Sequence, residues 1–112
     1  MDEQIHERVR DVIRSIPVGQ VATYGDVAAV AKAPSPRIVG RILAEDGHDL
    51  PWQRVLRANG TPAPHLADEQ LQLLRAEGVA ILDGKIDFAA HRWEESPALH
   101  PAPADDPQPG LF

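Results

Sequence analysis

The chain has 112 residues, 43% of them hydrophobic, a formal net charge of −6 and no cysteine. That is one small domain with room for a single core, and the missing thiols exclude disulfides, thiolate catalysis and thiolate metal sites within these residues. No apolar run approaches the ~20 residues needed to cross a bilayer, and Met1-Asp2-Glu3-Gln4 lacks the basic and apolar segments of a signal peptide, so a cytoplasmic location and no membrane partner are expected.

The negative charge argues against indiscriminate binding to nucleic acid, but it is unevenly placed. From Trp93 onward there is no Lys or Arg, only Glu94, Glu95, Asp105 and Asp106. Between Pro17 and Gly60 the cations Lys32, Arg37, Arg41, Arg54 and Arg57 face the anions Asp26, Glu45, Asp46 and Asp49, which leaves that stretch near neutral and rich in Arg.

In chain order, Asp2 can cap a first helix running to about Ser15, with Ile5, Val9, Val12, Ile13 and Ile16 on one apolar face. Pro17 and Gly19 end it. The Ala/Val-rich residues 21–31 predict a second helix, with Thr23 a candidate N-cap. Residues 32–36 hold Pro34 and Pro36 and predict a turn. Residues 37–43 predict a short third helix, apolar at Ile38, Val39, Ile42 and Leu43, with Arg37 and Arg41 on one exposed face. Helix, short turn and Arg-bearing helix form a helix-turn-helix pattern, although an ordinary helical hairpin with a solvated Arg face gives the same spacing.

Residues 45–50 are polar and loop-like. Val55-Leu56-Arg57 is strand-like, Asn59-Gly60 marks a turn, and Pro62 and Pro64 prevent regular structure. Asp68 can cap a helix to about Glu77 with Leu71, Leu74 and Leu73 inward, closed by Gly78. Residues 79–82 and 86–88 flank Asp83-Gly84 as a small hairpin. The expected organisation is a folded domain over residues 1–93 and an acidic Pro-rich tail over residues 94–112, expected to be disordered. His6, His48, His65, His91 and His100 share no ligand spacing, so no metal and no cofactor are expected.

Five stretches, in order, resemble the C-terminal domain of the O6-alkylguanine-DNA alkyltransferases. They are Ile16-Pro17-Val18-Gly19-Gln20-Val21-Ala22-Thr23-Tyr24-Gly25, Pro36-Arg37-Ile38-Val39-Gly40, Pro51-Trp52-Gln53-Arg54-Val55, Asn59-Gly60 and Leu73-Leu74-Arg75-Ala76-Glu77-Gly78, and the likeness spans about residues 5–82. In active enzymes the third stretch reads Pro-Cys-His-Arg-Val and its Cys accepts the alkyl group. Here Trp52 stands at that position, a pattern that resembles the alkyltransferase-like proteins, which bind the lesion without repairing it.

The resemblance implies a mainly α fold with a small β-hairpin and a winged-helix-like helix-turn-helix whose second helix enters the DNA minor groove. It implies that Arg37 is a finger filling the gap left by an extruded base, and that Tyr24 crowds the 3′ phosphate to rotate the nucleotide. Thr23 would contact the backbone nearby, although an N-cap accounts for it equally, and Arg41 shares the Arg37 face. Trp52, with Pro51, Gln53, Arg54 and Val55, would form the lesion pocket, Arg54 as a structural residue or a pocket anchor. Gln53 replaces the His that helps deprotonate the Cys. Glu77 matches the Glu that orients that His, and without Cys and His it is expected to be structural. The family's base-facing Tyr-Ser-Gly falls near Ala63-Pro64-His65, and a supporting Asn falls near Asp46.

The function implied is a non-enzymatic sensor of O6-alkylguanine in double-stranded DNA. It would act as a monomer and be read by nucleotide excision repair proteins of the UvrA type. The alternatives are a winged-helix DNA-binding regulator with no lesion preference and a protein-interaction adaptor.

Overall fold

The computed structural model describes residues 3–94. Helix α1 (Glu3–Arg14) buries Val9 and Ile13, with Ile16 just beyond its end. Asp2, the expected cap, and the tail beyond Glu94 lie outside the described residues.

The residues expected to open the second helix are instead extended. Strand β1 (Ala22–Thr23) runs parallel to β2 (Val55–Leu56), pairing Ala22 with Val55 and Thr23 with Leu56. Val21 adds a parallel bridge to Arg92, its N–H donating to the His91 carbonyl at 2.8 Å and its carbonyl accepting from Trp93 N–H at 2.8 Å. Val21 and Thr23 are β-branched, and pairing with two distant segments outweighs the helical tendency of the alanines around them.

This small ribbon divides the interior, because successive strand residues face opposite ways. Ala22 and Val55 join the cluster built from α1, α2 (Tyr24–Ala31) and α3 (Pro36–Asp46), which also holds Val9, Ile13, Val27, Val39, Ile42 and Trp93. Val21 and Leu56 join a second cluster with Leu74, Val79 and Ile86. The single core expected from chain length is therefore two clusters sharing one ribbon.

Helix α2 starts where Thr23 and Asp26 form a reciprocal capping box: Asp26 N–H donates to Thr23 Oγ1 at 3.0 Å, and Thr23 N–H donates to Asp26 Oδ2 at 3.1 Å. Asp26 also accepts from Arg92 Nη2 at 2.7 Å, tying the helix start to the last bridge of the fold. Helix α3 opens with Pro36 at its first turn and runs past the expected Leu43 to Asp46. An Arg41–Glu45 pair supports the added turn. Arg10 of α1 caps its end, donating to the Asp46 carbonyl at 2.6 Å and to both carboxylate oxygens of Asp49.

Short 3-10 helices (Trp52–Arg54 and Pro64–Leu66) precede β2 and α4 (Ala67–Ala76). The expected cap Asp68 lies inside the first turn of α4 instead, where its charge suits the helix N-terminus. Leu74 is buried, but Leu73 is 37% exposed, so it does not face inward. Gly78, at φ +90°, closes the helix with paired bonds from Gly78 N–H to Arg75 O and from Val79 N–H to Leu74 O, both 3.0 Å. The hairpin is shorter than expected: β3 (Ile81–Leu82) and β4 (Lys85–Ile86) meet at Asp83-Gly84, both at positive φ. Phe88 starts a short helix, α5 (Phe88–His91), because the Asp87 side chain accepts from Ala90 N–H and caps it. The architecture is thus mainly α with a small β-hairpin and a helix-turn-helix in α2 and α3.

Candidate nucleic-acid interface

The turn between α2 and α3 is set by backbone chemistry. Lys32 takes a left-handed conformation at φ 58° and ends α2, and Ala33 N–H returns to the Ala28 carbonyl at 2.8 Å. Pro36 then starts α3 and places Arg37 in its first turn. Arg37 is exposed and makes no hydrogen bond or ion pair with any described residue. Arg41, one turn later, is exposed but donates to Glu45 Oε2 at 3.2 Å. Thr23 is only 7% exposed, and its hydroxyl oxygen is engaged in the capping box.

A cleft of about 400 Å³ opens beside this helix. Tyr24, the first residue of α2, and Trp52 contribute aromatic surface to it, and α3 contributes Gly40, Leu43 and Ala44. Gly47 is required there by close approach: a Cβ would clash with the Leu43 carbonyl oxygen. Tyr24 is half-buried, and its hydroxyl has no hydrogen-bond partner among the described residues. Burial pushes its phenol pKa up, against the opposing pull of the nearby Arg57 charge, so the group is a neutral donor at pH 7.

Of the five residues expected to form a lesion pocket, Trp52 alone lines the cleft. Pro51 lies at the entrance to the 3-10 turn and off the cleft wall. Val55 is buried in β2. Gln53 and Arg54 turn the other way and converge on Glu77. Gln53 Nε2 donates to Glu77 Oε2 at 2.6 Å, and Arg54 donates from Nε to Oε1 at 2.9 Å and from Nη2 to Oε2 at 3.1 Å. Arg54 Nη1 also reaches the Ile16 carbonyl at 2.7 Å. Burial raises the Glu77 pKa, but the bonds from Arg54 and Gln53 and the Arg54 charge outweigh it and hold the carboxyl below its ordinary value. Glu77 is thus the shared acceptor of Gln53 and Arg54.

Several lining residues were not expected as site residues. His48, His65, Glu69 and Gln70 all face the cleft. The stretch at residues 63–65 carried a hint, since the family's base-facing residues fall there, and Ala63 and His65 do line the wall. Gln70 carried one too: it sits at helical spacing before Leu74 on the inner face of α4, where an apolar residue is the rule.

The helix-turn-helix fold occurs in known proteins. Residues 4–79 match the model of the 6-O-methylguanine DNA methyltransferase DNA-binding domain. The chain is 40% identical over 99 residues to a DNA base-flipping protein of Escherichia coli (strain K12), covering 82% of this chain and 76% of that one. It is 34% identical over 107 residues to alkyltransferase-like protein 1 of Schizosaccharomyces pombe, covering 84% and 97%. The fold superposes on S. pombe Atl1, solved in complex with damaged DNA containing O6-carboxymethylguanine, with a TM-score of 0.74 at 26% identity over 83% of this chain and 97% of that one. With the methyltransferase DNA-binding domain spanning most of its length and no cysteine in its sequence, the chain belongs to the alkyltransferase-like family.

Proposed function

We propose that this protein is a non-enzymatic sensor that binds O6-alkylguanine in duplex DNA and holds the extruded base in the cleft beside α3. The observation that carries the reading is Trp52: its half-buried indole walls the cleft at the motif position where a methyltransferase would carry its nucleophile. An indole offers an apolar surface to an alkyl ether and no sulfur to attack it. The cleft volume of about 400 Å³ suits one modified base, within the range of roughly 300–1,000 Å³ common to small-ligand sites.

Extruding a base costs a few kcal/mol, and less for a poorly paired adduct. Arg37 offsets that cost by entering from the minor groove and stacking in the vacated space, which needs a planar cation free of protein partners. Tyr24 crowds the phosphate at the cleft edge and turns the nucleotide, and Arg41 and Thr23 flank the backbone. The bound complex acts in the cytoplasm as a monomer that marks the lesion for a UvrA-type excision repair protein. That last step rests on the family likeness alone.

The test is equilibrium binding, at one stated salt concentration, to matched duplexes carrying guanine or O6-methylguanine at one position, with a radiolabelled methyl followed in the same samples. Preference for the lesion with the methyl retained on DNA is the expected result. Equal affinity for both duplexes sinks the reading and leaves a winged-helix regulator without lesion preference.

A further inference from the structure

Gln70 is a polar side chain only 2% exposed that nevertheless forms part of the cleft wall. Its two N–H donors are committed: Nε2 donates to the Gln53 carbonyl at 3.0 Å and to the Val55 carbonyl at 2.9 Å. Both partners are carbonyl oxygens, which only accept. A reversed amide would set oxygen against oxygen twice, so the orientation of the group is fixed by its partners. Oε1 is therefore directed away from both carbonyls. It has no donor among the described residues, yet it is not a sealed atom: the only fully buried side-chain polar atom without a partner among them is Arg92 Nε. Glu69, the neighbouring residue on the cleft wall, is exposed and adds a second group that only accepts when ionised. This part of the wall holds acceptors in wait of a donor.

The chemistry of the adduct supplies one. Alkylation at O6 removes the proton from N1 of guanine, so the exocyclic 2-amino group is left as the base's one N–H donor on its pairing edge. Adenine carries its amino group at position 6 and none at position 2. The geometry points to Gln70 as a specificity-determining residue, whose Oε1 accepts a hydrogen bond from the 2-amino group of the extruded base. The substrate class is then O6-alkylated purines that bear a 2-amino group. Because Nε2 is held by two backbone carbonyls beside Trp52, the acceptor is pre-positioned and loses little entropy on binding. This inference rests on the lesion-binding reading above.

The experiment compares duplexes carrying guanine, O6-methylguanine or O6-methylhypoxanthine, the last keeping the ether and replacing the amino group by hydrogen. Wild-type protein and Gln70→Met are measured as a double-mutant cycle, which cancels the effect of the missing amino group on duplex pairing. The expected result is an about tenfold loss in wild-type affinity on removing the amino group, about 1.4 kcal/mol, shrinking to about twofold in Gln70→Met. An equal loss in both proteins overturns the assignment. Because Gln70→Met removes the side-chain donor from two backbone carbonyls, the Gln70 side-chain amide resonance is also followed in ¹⁵N-labelled wild-type protein. It shifts with the O6-methylguanine duplex and not with the O6-methylhypoxanthine duplex. An unchanged resonance with both overturns the proposal even if the variant does not fold. Wild-type protein that prefers O6-methylguanine over guanine but is indifferent to the amino group overturns this inference alone. Wild-type protein that does not distinguish guanine from O6-methylguanine overturns the lesion reading and this inference with it.

Discussion

Replacing Glu77 by Ala removes the carboxylate on which Gln53 and Arg54 converge. Three side-chain hydrogen bonds between 2.6 and 3.1 Å are lost, two of them from a guanidinium. Arg54 and Glu77 side chains are each only 13% exposed, so the orphaned cation is poorly rehydrated. Removing one partner of a buried pair costs about 3–5 kcal/mol, and the residual exposure places this one near the lower end, at about 3 kcal/mol. For a domain of this size that lowers the melting midpoint by about 15 °C. The assay is thermal unfolding followed by circular dichroism at several pH values. The sign of the pH dependence follows from the depressed Glu77 pKa. The contribution is complete above the unfolded carboxylate value of about 4.3 and is lost as pH falls through the lower folded value. The gap between wild type and Glu77→Ala therefore stays constant from pH 7 to about pH 5 and narrows below about 4. A gap under about 0.5 kcal/mol at pH 7, or one that widens on acidification, refutes the view that this clamp holds the Trp52 turn in place.

Arg37→Ala is expected to leave the melting midpoint within the scatter of surface substitutions, since the side chain is exposed and without partners among the described residues, yet to weaken lesion-duplex binding by about tenfold or more. A fall in stability with unchanged affinity would mark Arg37 as structural. Tyr24→Phe should not alter stability, because the hydroxyl has no partner among the described residues, but should lower affinity about five- to tenfold if that hydroxyl meets a phosphate. In wild-type protein the phenol should titrate above its usual value of about 10 by ultraviolet absorbance, and titration below it would contradict the half-buried placement. Arg57→Ala removes an exposed cation beside Tyr24, and should reduce the slope of log affinity against log salt by about one. An unchanged slope would place Arg57 off the DNA path.

What was legible in the sequence was local. The Thr23 cap, the breaker pair Pro17 and Gly19 and the Gly78 stop each act within four residues of themselves, and each lies where its chemistry predicts. What was not legible depended on partners far along the chain. Val21 and Ala22 read as helix because nothing near them shows that Arg92 and Val55 will pair with them. Leu73 read as inward because its neighbours are apolar, but the second cluster meets α4 through Leu71 and Leu74 and leaves Leu73 outside. The extra turn of α3 depends on Arg10, which is 36 residues away from the carbonyl it caps.

The division of residues 52–54 between the cleft and Glu77 has a geometric cause. Residues 52–54 form a 3-10 turn, in which successive side chains point about 120° apart, so Trp52 is turned away from both residues that follow it. Trp52 takes the cleft, and the two residues after it take Glu77. That division sets the cleft position apart from the Glu77 position and predicts how substitutions at the two combine. Trp52→Cys alone places a thiol in the cleft with no base beside it, because Gln53 cannot accept a proton at neutral pH. Its amide donates to Glu77 at 2.6 Å, however, and an imidazole at position 53 can make the same donation and leave its other nitrogen free for the thiol. Trp52→Cys combined with Gln53→His should therefore accept a radiolabelled methyl from O6-methylguanine DNA about a hundredfold faster than Trp52→Cys, the usual scale of general-base assistance. Equal rates in the two variants, in protein shown to be folded, would mean that the Glu77 clamp does not orient a base toward position 52.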